Sequence, residues 1–152
     1  MAVAAVVGCG APPANEPDQL AFVSDRDGEN LDGFLTTLDT TYVRNLPRHP
    51  SLEWGLAWSP DGSKLLVGTD RDGNAEVHVM NAYGNDPRNL TNHPAGDGSA
   101  SRSPEGREIV CVSDRDGEKR ELYLRRTDRP RRGRRVEAEM NGSGVLCASR
   151  DD

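Results

Sequence analysis

Short apolar runs alternate with turns that contain glycine or proline along most of the chain. Residues 64–69 form one apolar run, and residues 76–80 alternate polar and apolar side chains as a half-buried strand does. Residues 56–59 and 88–91 are two further short runs of the same kind. The turn sequences between them are Pro60-Asp61-Gly62, Asp70-Arg71-Asp72-Gly73 and the segment 81–86. This pattern predicts four short antiparallel strands and no long helix.

The same pattern repeats along the chain. The motif Ser/Thr-Asp-Arg-Asp-Gly occurs at residues 24–28, 69–73 and 113–117, so the copies are 45 and then 44 residues apart. The motif Asn-Leu-x-x-His-Pro occurs at residues 45–50 and 89–94, again 44 apart, and a weak fourth echo lies near the end of the chain. Several motifs that share one offset indicate an internal repeat. Four short strands in about 44 residues are typical of a β-propeller blade, which needs a neighbouring blade to bury its faces.

The segment 58–94, WSPDGSKLLVGTDRDGNAEVHVMNAYGNDPRNLTNHP, resembles the TolB-type, WD-like β-propeller repeat of bacterial envelope proteins. The resemblance covers about residues 19–124. It implies a ring of four-stranded blades, commonly six, that acts as a periplasmic protein-binding platform.

We therefore expect an all-β chain with two to three propeller blades and an incomplete ring. The repeats are placed near residues 19–58, 59–102 and 103–152. The first copy lacks an opening strand, and the last is degenerate, because Arg102 replaces Trp58 and the apolar alternation decays after Leu124. Closed propellers use about 4–8 blades. The chain is thus a fragment of a longer product, assembles with copies of itself, or stays partly disordered.

Composition narrows the class of protein. The chain has 152 residues, about one domain, with 19 basic and 25 acidic side chains and a net charge of -6. The acidic balance argues against a nucleic acid partner. No apolar run approaches the roughly 18 residues that span a bilayer, which argues against a polytopic membrane protein.

The N-terminal segment 1–18 predicts export. Residues 2–8 are apolar and end at Cys9, and a Pro-rich polar linker follows at 11–18. The residues up to Cys9 resemble the lipobox of bacterial lipoproteins, which implies lipidation of Cys9 and membrane contact through that lipid alone. The protein would then be an exported lipoprotein, periplasmic or at the outer membrane and cell surface. A plain secretory signal and an ordinary apolar terminus are the alternatives.

The Asp-Arg-Asp-Gly motif allows two interpretations. Asp70, Asp72, Asn74 and Glu76 place four oxygen donors at alternate positions, as in the opening of a calcium-binding loop. The same aspartates equally suit a hairpin turn, in which they accept backbone N–H groups and glycine supplies a positive φ. The recurrence of the motif in every copy favours the turn.

No enzyme motif stands out. His49 and His93 occupy equivalent loop positions, and His78 lies alone on a predicted strand. Cys111 and Cys147 fall at equivalent apolar positions, where packing in the core is expected. The sequence contains no Gly-x-Ser-x-Gly, His-Glu-x-x-His or phosphate-loop motif. We expect no catalytic residue and no cofactor.

Residues 125–135 concentrate positive charge. They contain seven arginines and one aspartate, from Arg125 to Arg135. Such a segment can bind phosphate groups or acidic lipid headgroups. A solvated loop and a degenerate end of the coding sequence are the alternatives.

The resemblance to the TolB-type repeat implies a non-enzymatic platform for protein–protein interaction at the bacterial cell envelope, and the absence of enzyme motifs in the sequence agrees with it. The partners would be other envelope proteins, or copies of the same chain that close the ring. The alternative is the N-terminal propeller portion of a larger serine peptidase or hydrolase whose catalytic domain lies outside this chain. A third hypothesis is an oligosaccharide lyase propeller. It would need a metal and a cluster of histidines, and the sequence contains no such cluster.

Overall fold

The computed structural model describes residues 19–28, 30–37, 43–46, 49–117, 119–128 and 133–136, and the backbone of residues 3–4. These ranges hold twelve β-strands and no helix. The strands form three four-stranded antiparallel sheets in simple sequential order, β1–β4, β5–β8 and β9–β12. The all-β fold of stacked propeller blades is therefore confirmed.

The strands are short, as the turn-rich sequence predicts. The first sheet contains β1 (Val3–Ala4), β2 (Gln19–Ser24), β3 (Asp32–Thr37) and β4 (Val43–Asn45). The second contains β5 (Glu53–Trp58), β6 (Lys64–Thr69), β7 (Glu76–Asn81) and β8 (Arg88–Asn89). The third contains β9 (Asp97–Arg102), β10 (Glu108–Ser113), β11 (Glu121–Arg126) and β12 (Arg134–Val136).

The first sheet has an opening strand that the repeat did not predict. Strand β1 pairs antiparallel with β2, with Val3 opposite Ser24 and Ala4 opposite Val23. The expectation that the first copy lacks its opening strand is wrong, because a segment without the repeat sequence takes that place. This segment lies within residues 1–18, where the sequence predicts an export signal.

The sheets and the sequence periods begin at different points. The period 19–58 contains β2, β3 and β4 of the first sheet together with β5, which opens the second sheet. The period 59–102 is composed in the same way and ends with β9. Each period therefore links two neighbouring sheets, and backbone hydrogen bonds strengthen the link. The amide of Glu53 donates to the carbonyl of Leu31 at 2.9 Å, and that of Asp97 donates to Ala75 at 2.7 Å.

Apolar side chains fill both spaces between the three sheets. Strand β6 contributes side chains to both spaces, because Leu65 and Val67 face the first sheet while Leu66 faces the third. The cluster between the first and second sheets comprises Ala21, Val23, Leu35, Leu46, Leu56, Trp58, Leu65, Val67 and Met80. The cluster between the second and third sheets comprises Leu66, Val77, Val79, Leu90, Ile109, Cys111 and Tyr123. The central sheet is thus buried on both faces, which is the packing that a blade needs.

Candidate functional site

The three repeated motifs lie at one end of the sheets. In an antiparallel sheet, the turn between the second and third strands lies at the same end as the connection to the next sheet. We call this end the turn end; it comprises the described residues of 25–31, 70–75 and 114–120 and the connections 49–52 and 90–96. The opposite end comprises the turns 59–63, 82–87 and 103–107.

Each Asp-Arg-Asp-Gly motif forms a closed turn. The amide of Gly73 donates to the carbonyl of Asp70 at 2.9 Å, and Gly73 has a φ of 102°. The amide of Gly117 donates to the carbonyl of Asp114 at 3.1 Å in the third sheet, with a φ of 126°. Positive φ is a conformation that glycine adopts without steric cost, which suits glycine to these two turns. The turn of the first sheet closes in the same way, with the Gly28 amide donating to the carbonyl of Asp25 at 3.2 Å, but Gly28 has no positive φ, so the expectation of a positive φ holds for two of the three copies.

In the second sheet, the three polar side chains of this turn connect the inner and outer strands. Asp70 Oδ1 accepts the amide of Leu52 at 3.0 Å, just before β5. The guanidinium of Arg71 donates to Glu53 Oε1 on β5 at 2.8 Å. Asp72 Oδ2 accepts the side-chain amide of Asn89, on β8, at 2.7 Å. The turn therefore holds the first and fourth strands to the hairpin between them.

The third sheet repeats two of these three contacts. Asp114 Oδ1 accepts the amide of Gly96 at 2.9 Å, and Arg115 donates to both oxygens of Asp97 at 2.8 and 2.9 Å. The third contact differs, because Asp116 accepts the hydroxyl of Tyr123. The Tyr123 ring also lies 4.2 Å below the Arg115 guanidinium. Burial, followed by the hydrogen bond to Asp116, raises the pKa of Tyr123 to about 12.

In the first sheet the motif arginine lies in different surroundings. The guanidinium of Arg26 lies 5.0 Å from the ring centroid of Phe22 and 5.1 Å from that of Phe34. Arg26 makes no ion pair with any described residue and is exposed. The Arg26 guanidinium is therefore held against aromatic rings at the surface, whereas Arg71 and Arg115 are paired with buried carboxylates inside their own sheets.

The acidic partners of the motif arginines were not predicted from the sequence. Glu53 and Asp97 are 2% and 1% exposed, and they are 44 residues apart like the repeated motifs. That spacing was the signal that could have revealed them. Burial raises the pKa of Glu53, while the Gly33 amide, which donates to Glu53 Oε2 at 3.1 Å, and the Arg71 guanidinium oppose the shift.

The four residues of the calcium hypothesis lie in three separate hydrogen-bond networks, because only Asn74 and Glu76 share one. Asp70 and Asp72 hold different strands, as described above. Asn74 donates to the carbonyls of His93 and Ala95 at 2.9 and 3.0 Å. Glu76 accepts the His93 amide at 2.8 Å. Asn74 and Glu76 are brought together, with the Asn74 side-chain amide 3.3 Å from Glu76 Oε1.

The other oxygen of the Glu76 carboxylate is also occupied. The Thr91 hydroxyl donates to Glu76 Oε2. Among the described residues, no group of three or more His, Cys, Asp or Glu side chains is arranged to hold a metal ion. Calcium binding by these residues stays the less favoured of the two interpretations of the motif.

The histidines and cysteines fall in different environments. His78 is buried, with Nε2 3.1 Å from Asp72 Oδ2, and burial lowers its pKa. His49 and His93 each accept, through Nδ1, the amide two residues further along the chain, at 3.3 and 3.1 Å. Cys111 is fully buried in the core, as predicted, and burial raises its thiol pKa to about 12. Cys9 and Cys147 lie outside the described residues.

The arginine-rich segment divides between strand and undescribed residues. Arg125 lies on the buried face of β11 and is 5% exposed. Its guanidinium donates to the carbonyl of Thr91 at 2.7 Å. Arg126 is exposed and paired with Asp128 at 3.0 Å. Arg135 lies on β12, 3.9 Å from Glu121. At least one of the seven arginines therefore serves the packing between sheets. Residues 129–132 lie outside the described part of the chain.

Charged side chains dominate the exposed surface of the turn end. Among the described residues of the turn end, the exposed charged ones are Arg26, Asp27, Asp72, Asp114, Asp116, Lys119 and Arg120. The hairpin backbone that carries them is fixed by the turn bonds and by the side-chain contacts of the motif. A set of charges on a fixed scaffold is suited to recognising a protein surface of complementary charge.

Stacked four-stranded antiparallel sheets with a repeated turn define a β-propeller protein. The model of the TolB beta propeller domain matches residues 20–143, and the chain belongs to that family. No helix within the described ranges is long and apolar enough to cross a membrane.

Solved structures share the fold. A candidate TolB from Agrobacterium tumefaciens has a TM-score of 0.68 and 21% identity over 77% of this chain. TolB from Acinetobacter baumannii has a TM-score of 0.66 and 22% identity over 80%. An oligogalacturonate lyase in complex with manganese has a TM-score of 0.61 and 13% identity over 83%. The chain spans only 44%, 30% and 38% of the lengths of these three proteins.

Proposed function

We propose that this chain is a non-enzymatic interaction module of the bacterial cell envelope that binds a partner protein through its turn end. Membership of the TolB beta propeller domain family supports a propeller platform, and two of the similar structures are described as TolB. The observation that carries the proposal is the fixed array of exposed charges at the turn end.

The form of the turns supports a binding role. The buried pairs Arg71–Glu53 and Arg115–Asp97 hold two hairpins. The exposed aspartates of the same hairpins, Asp72, Asp114 and Asp116, each accept a further hydrogen bond within their own sheet, so the tips are held in place. A rigid tip loses little conformational entropy when a partner binds, which favours affinity. The mixed signs of charge at the tips favour a partner surface that is also of mixed charge.

Export is part of the proposal. The apolar segment before Cys9 is the sequence feature that supports it. We propose a periplasmic location, with lipidation of Cys9 as the means of membrane attachment.

The test is site-specific photocrosslinking in cells that express the full chain. A photoreactive residue replaces Arg26 or Lys119 at the turn end, and Asn85 or Arg107 at the opposite end as matched controls. All four positions are exposed. We expect an adduct with a second envelope protein from the turn-end positions only.

Two results would contradict this proposal. Equal crosslinking from both ends would remove the turn end as the binding face, and an adduct made only with cytoplasmic proteins would remove the envelope location. Labelling of the full-length gene product by a fluorophosphonate probe would favour the alternative, a propeller attached to a serine hydrolase.

A further inference from the structure

The first inter-sheet space contains a continuous apolar row. On the second sheet, Trp58, Leu65 and Met80 are cross-strand neighbours on β5, β6 and β7. All three are buried and pack in the cluster against the first sheet, which contributes Leu35. Apolar side chains thus fill the space from the inner strand outward.

The equivalent row of the third sheet contains two arginines and one apolar residue. Arg102, Ile109 and Arg125 are cross-strand neighbours on β9, β10 and β11. The Arg125 guanidinium donates one hydrogen bond, from Nη1 to the carbonyl of Thr91. Arg102 has only one long hydrogen bond, 3.4 Å from Nη1 to the carbonyl of Gly106, and its buried Nε has no partner. Within the described residues, Arg102 forms no ion pair.

A cleft lies beside Arg102, between the second and third sheets at the opposite end. Its volume is about 360 Å³, within the range of small-molecule sites. Val79 forms the apolar wall of the cleft. It occupies the same position in its repeat that Leu35 occupies in the first repeat. The exposed cations Lys64 and Arg88 also line the cleft. Neither forms an ion pair with a described residue, and Arg88 donates to the carbonyl of Thr127 at 3.1 Å. Three positive groups therefore surround one space.

Acidic side chains line the cleft too, and each of them interacts with other groups. Asp61 Oδ1 accepts the Ser59 hydroxyl at 2.6 Å and the Ser63 amide and hydroxyl at 3.1 and 2.9 Å, and these bonds lower the pKa of Asp61 to about 2. Asp128 is paired with Arg126. Glu105 completes the acidic lining. Asp61 attracts the charge of Arg102 without forming an ion pair, and burial still lowers the pKa of Arg102.

We propose that this cleft binds a small molecule through a carboxylate or phosphate group, held by Arg102 with Arg88 and Lys64 around it. A half-buried guanidinium without a counter-ion carries a desolvation cost that an oxyanion offsets by charge-assisted hydrogen bonds. The site arises because arginine stands where the preceding repeat has a tryptophan.

Titration of the folded full chain tests the site. Inorganic phosphate and acetate are added separately at constant ionic strength and pH 7, and the Nε–Hε resonance of Arg102 is followed by nuclear magnetic resonance. We expect a saturable shift. Saturation by phosphate alone would identify a phosphate group as the ligand chemistry, and saturation by acetate would identify a carboxylate.

Three variants separate binding from general charge. R102W restores the residue of the preceding repeat and is expected to weaken binding at least tenfold, followed on a neighbouring backbone amide. R88Q should also weaken it, and it decides the test if R102W does not fold. R107Q removes an exposed arginine outside the cleft and should leave the affinity within twofold. A linear, unsaturable shift in the parent chain, or unchanged binding in both R102W and R88Q, would overturn the proposal.

Discussion

At the residue scale, the turn motif serves the fold through long-range contacts. A turn was predictable from Asp-Arg-Asp-Gly, because its hydrogen bonds and its positive φ are local. The acidic partners of the motif arginines were not predictable in this way, because Glu53 lies 18 residues from Arg71 along the chain and outside any local motif. Nor could a local pattern show that Arg125 is buried, because its neighbours come from another sheet.

Removing the motif arginine should therefore destabilise the fold. R71M leaves Glu53 buried without its cation, and such losses cost about 3–5 kcal/mol. The matched control is R26M, whose arginine is exposed and packs against two aromatic rings, so it should cost less than about 1 kcal/mol. Urea unfolding monitored by circular dichroism gives both values. Equal losses in the two variants would show that the buried pair has no special role.

The buried histidine should make stability depend on pH. Burial lowers the pKa of His78 in the folded chain, so below about pH 6.5, the ordinary value, the unfolded chain binds more protons than the folded one. Stability therefore falls as the pH drops through that window. H78N should lose less stability than the parent chain between pH 7 and 5. Urea midpoints at the two pH values measure this, and parallel curves for H78N and the parent would refute it.

At the scale of elements, the strands with an unbroken pattern were the predictable ones. Strand β6 has the predicted bounds 64–69, and β7 extends one residue beyond the predicted 76–80. Strand β5 begins at Glu53 rather than at 56, because a bulge between Trp54 and Ala57 interrupts the alternation. Strand β1 was missed because its position in the sheet depends on pairing with β2 and not on a repeat of its own.

The bulge in β5 makes a specific demand on its backbone. Gly55 has a φ of 60°, and a Cβ there would meet no atom within 4 Å. G55A should cost about 1–2 kcal/mol, because only the backbone conformation opposes it. Gly28 offers the same open space without a positive φ, so G28A should be neutral or slightly stabilising. Thermal unfolding compares them, and a neutral G55A would show that the bulge tolerates other conformations.

At the scale of the whole molecule, the N-terminal segment has two competing roles. Export processing at Cys9 would remove Val3–Ala4, and with them the strand that completes the first sheet. The fold class followed from the repeat, because each period encodes the same four strands. The fate of the segment before the repeat depends on recognition by other proteins, which a folding pattern does not encode.

Mass spectrometry of the protein from the membrane fraction distinguishes these roles. The export hypothesis predicts a chain that begins at a lipid-modified Cys9, with the first sheet reduced to β2, β3 and β4. C9S is the matched control, because it removes the lipidation site while keeping the apolar run. An unmodified Cys9 still joined to Met1 would contradict lipidation and leave β1 in place.

The face of the third sheet that is turned away from the second sheet carries apolar residues, and this affects how the chain assembles. Val110 and Leu124 are cross-strand neighbours there and only partly buried. Their counterparts in the second sheet, the neighbours Leu66 and Val79, are buried against the third sheet. The repeat therefore predicts that another blade covers this face. We expect copies of the chain to associate through it when no further blade is attached.

The most direct test of the blade-stacking account is light scattering of the full chain after size exclusion, with far-ultraviolet circular dichroism on the same peak. The account predicts a β-rich species of discrete mass, a small multiple of one chain. A monomer or polydisperse aggregate with the spectrum of an unfolded chain would contradict it, because the stacked sheets would then not be a stable unit.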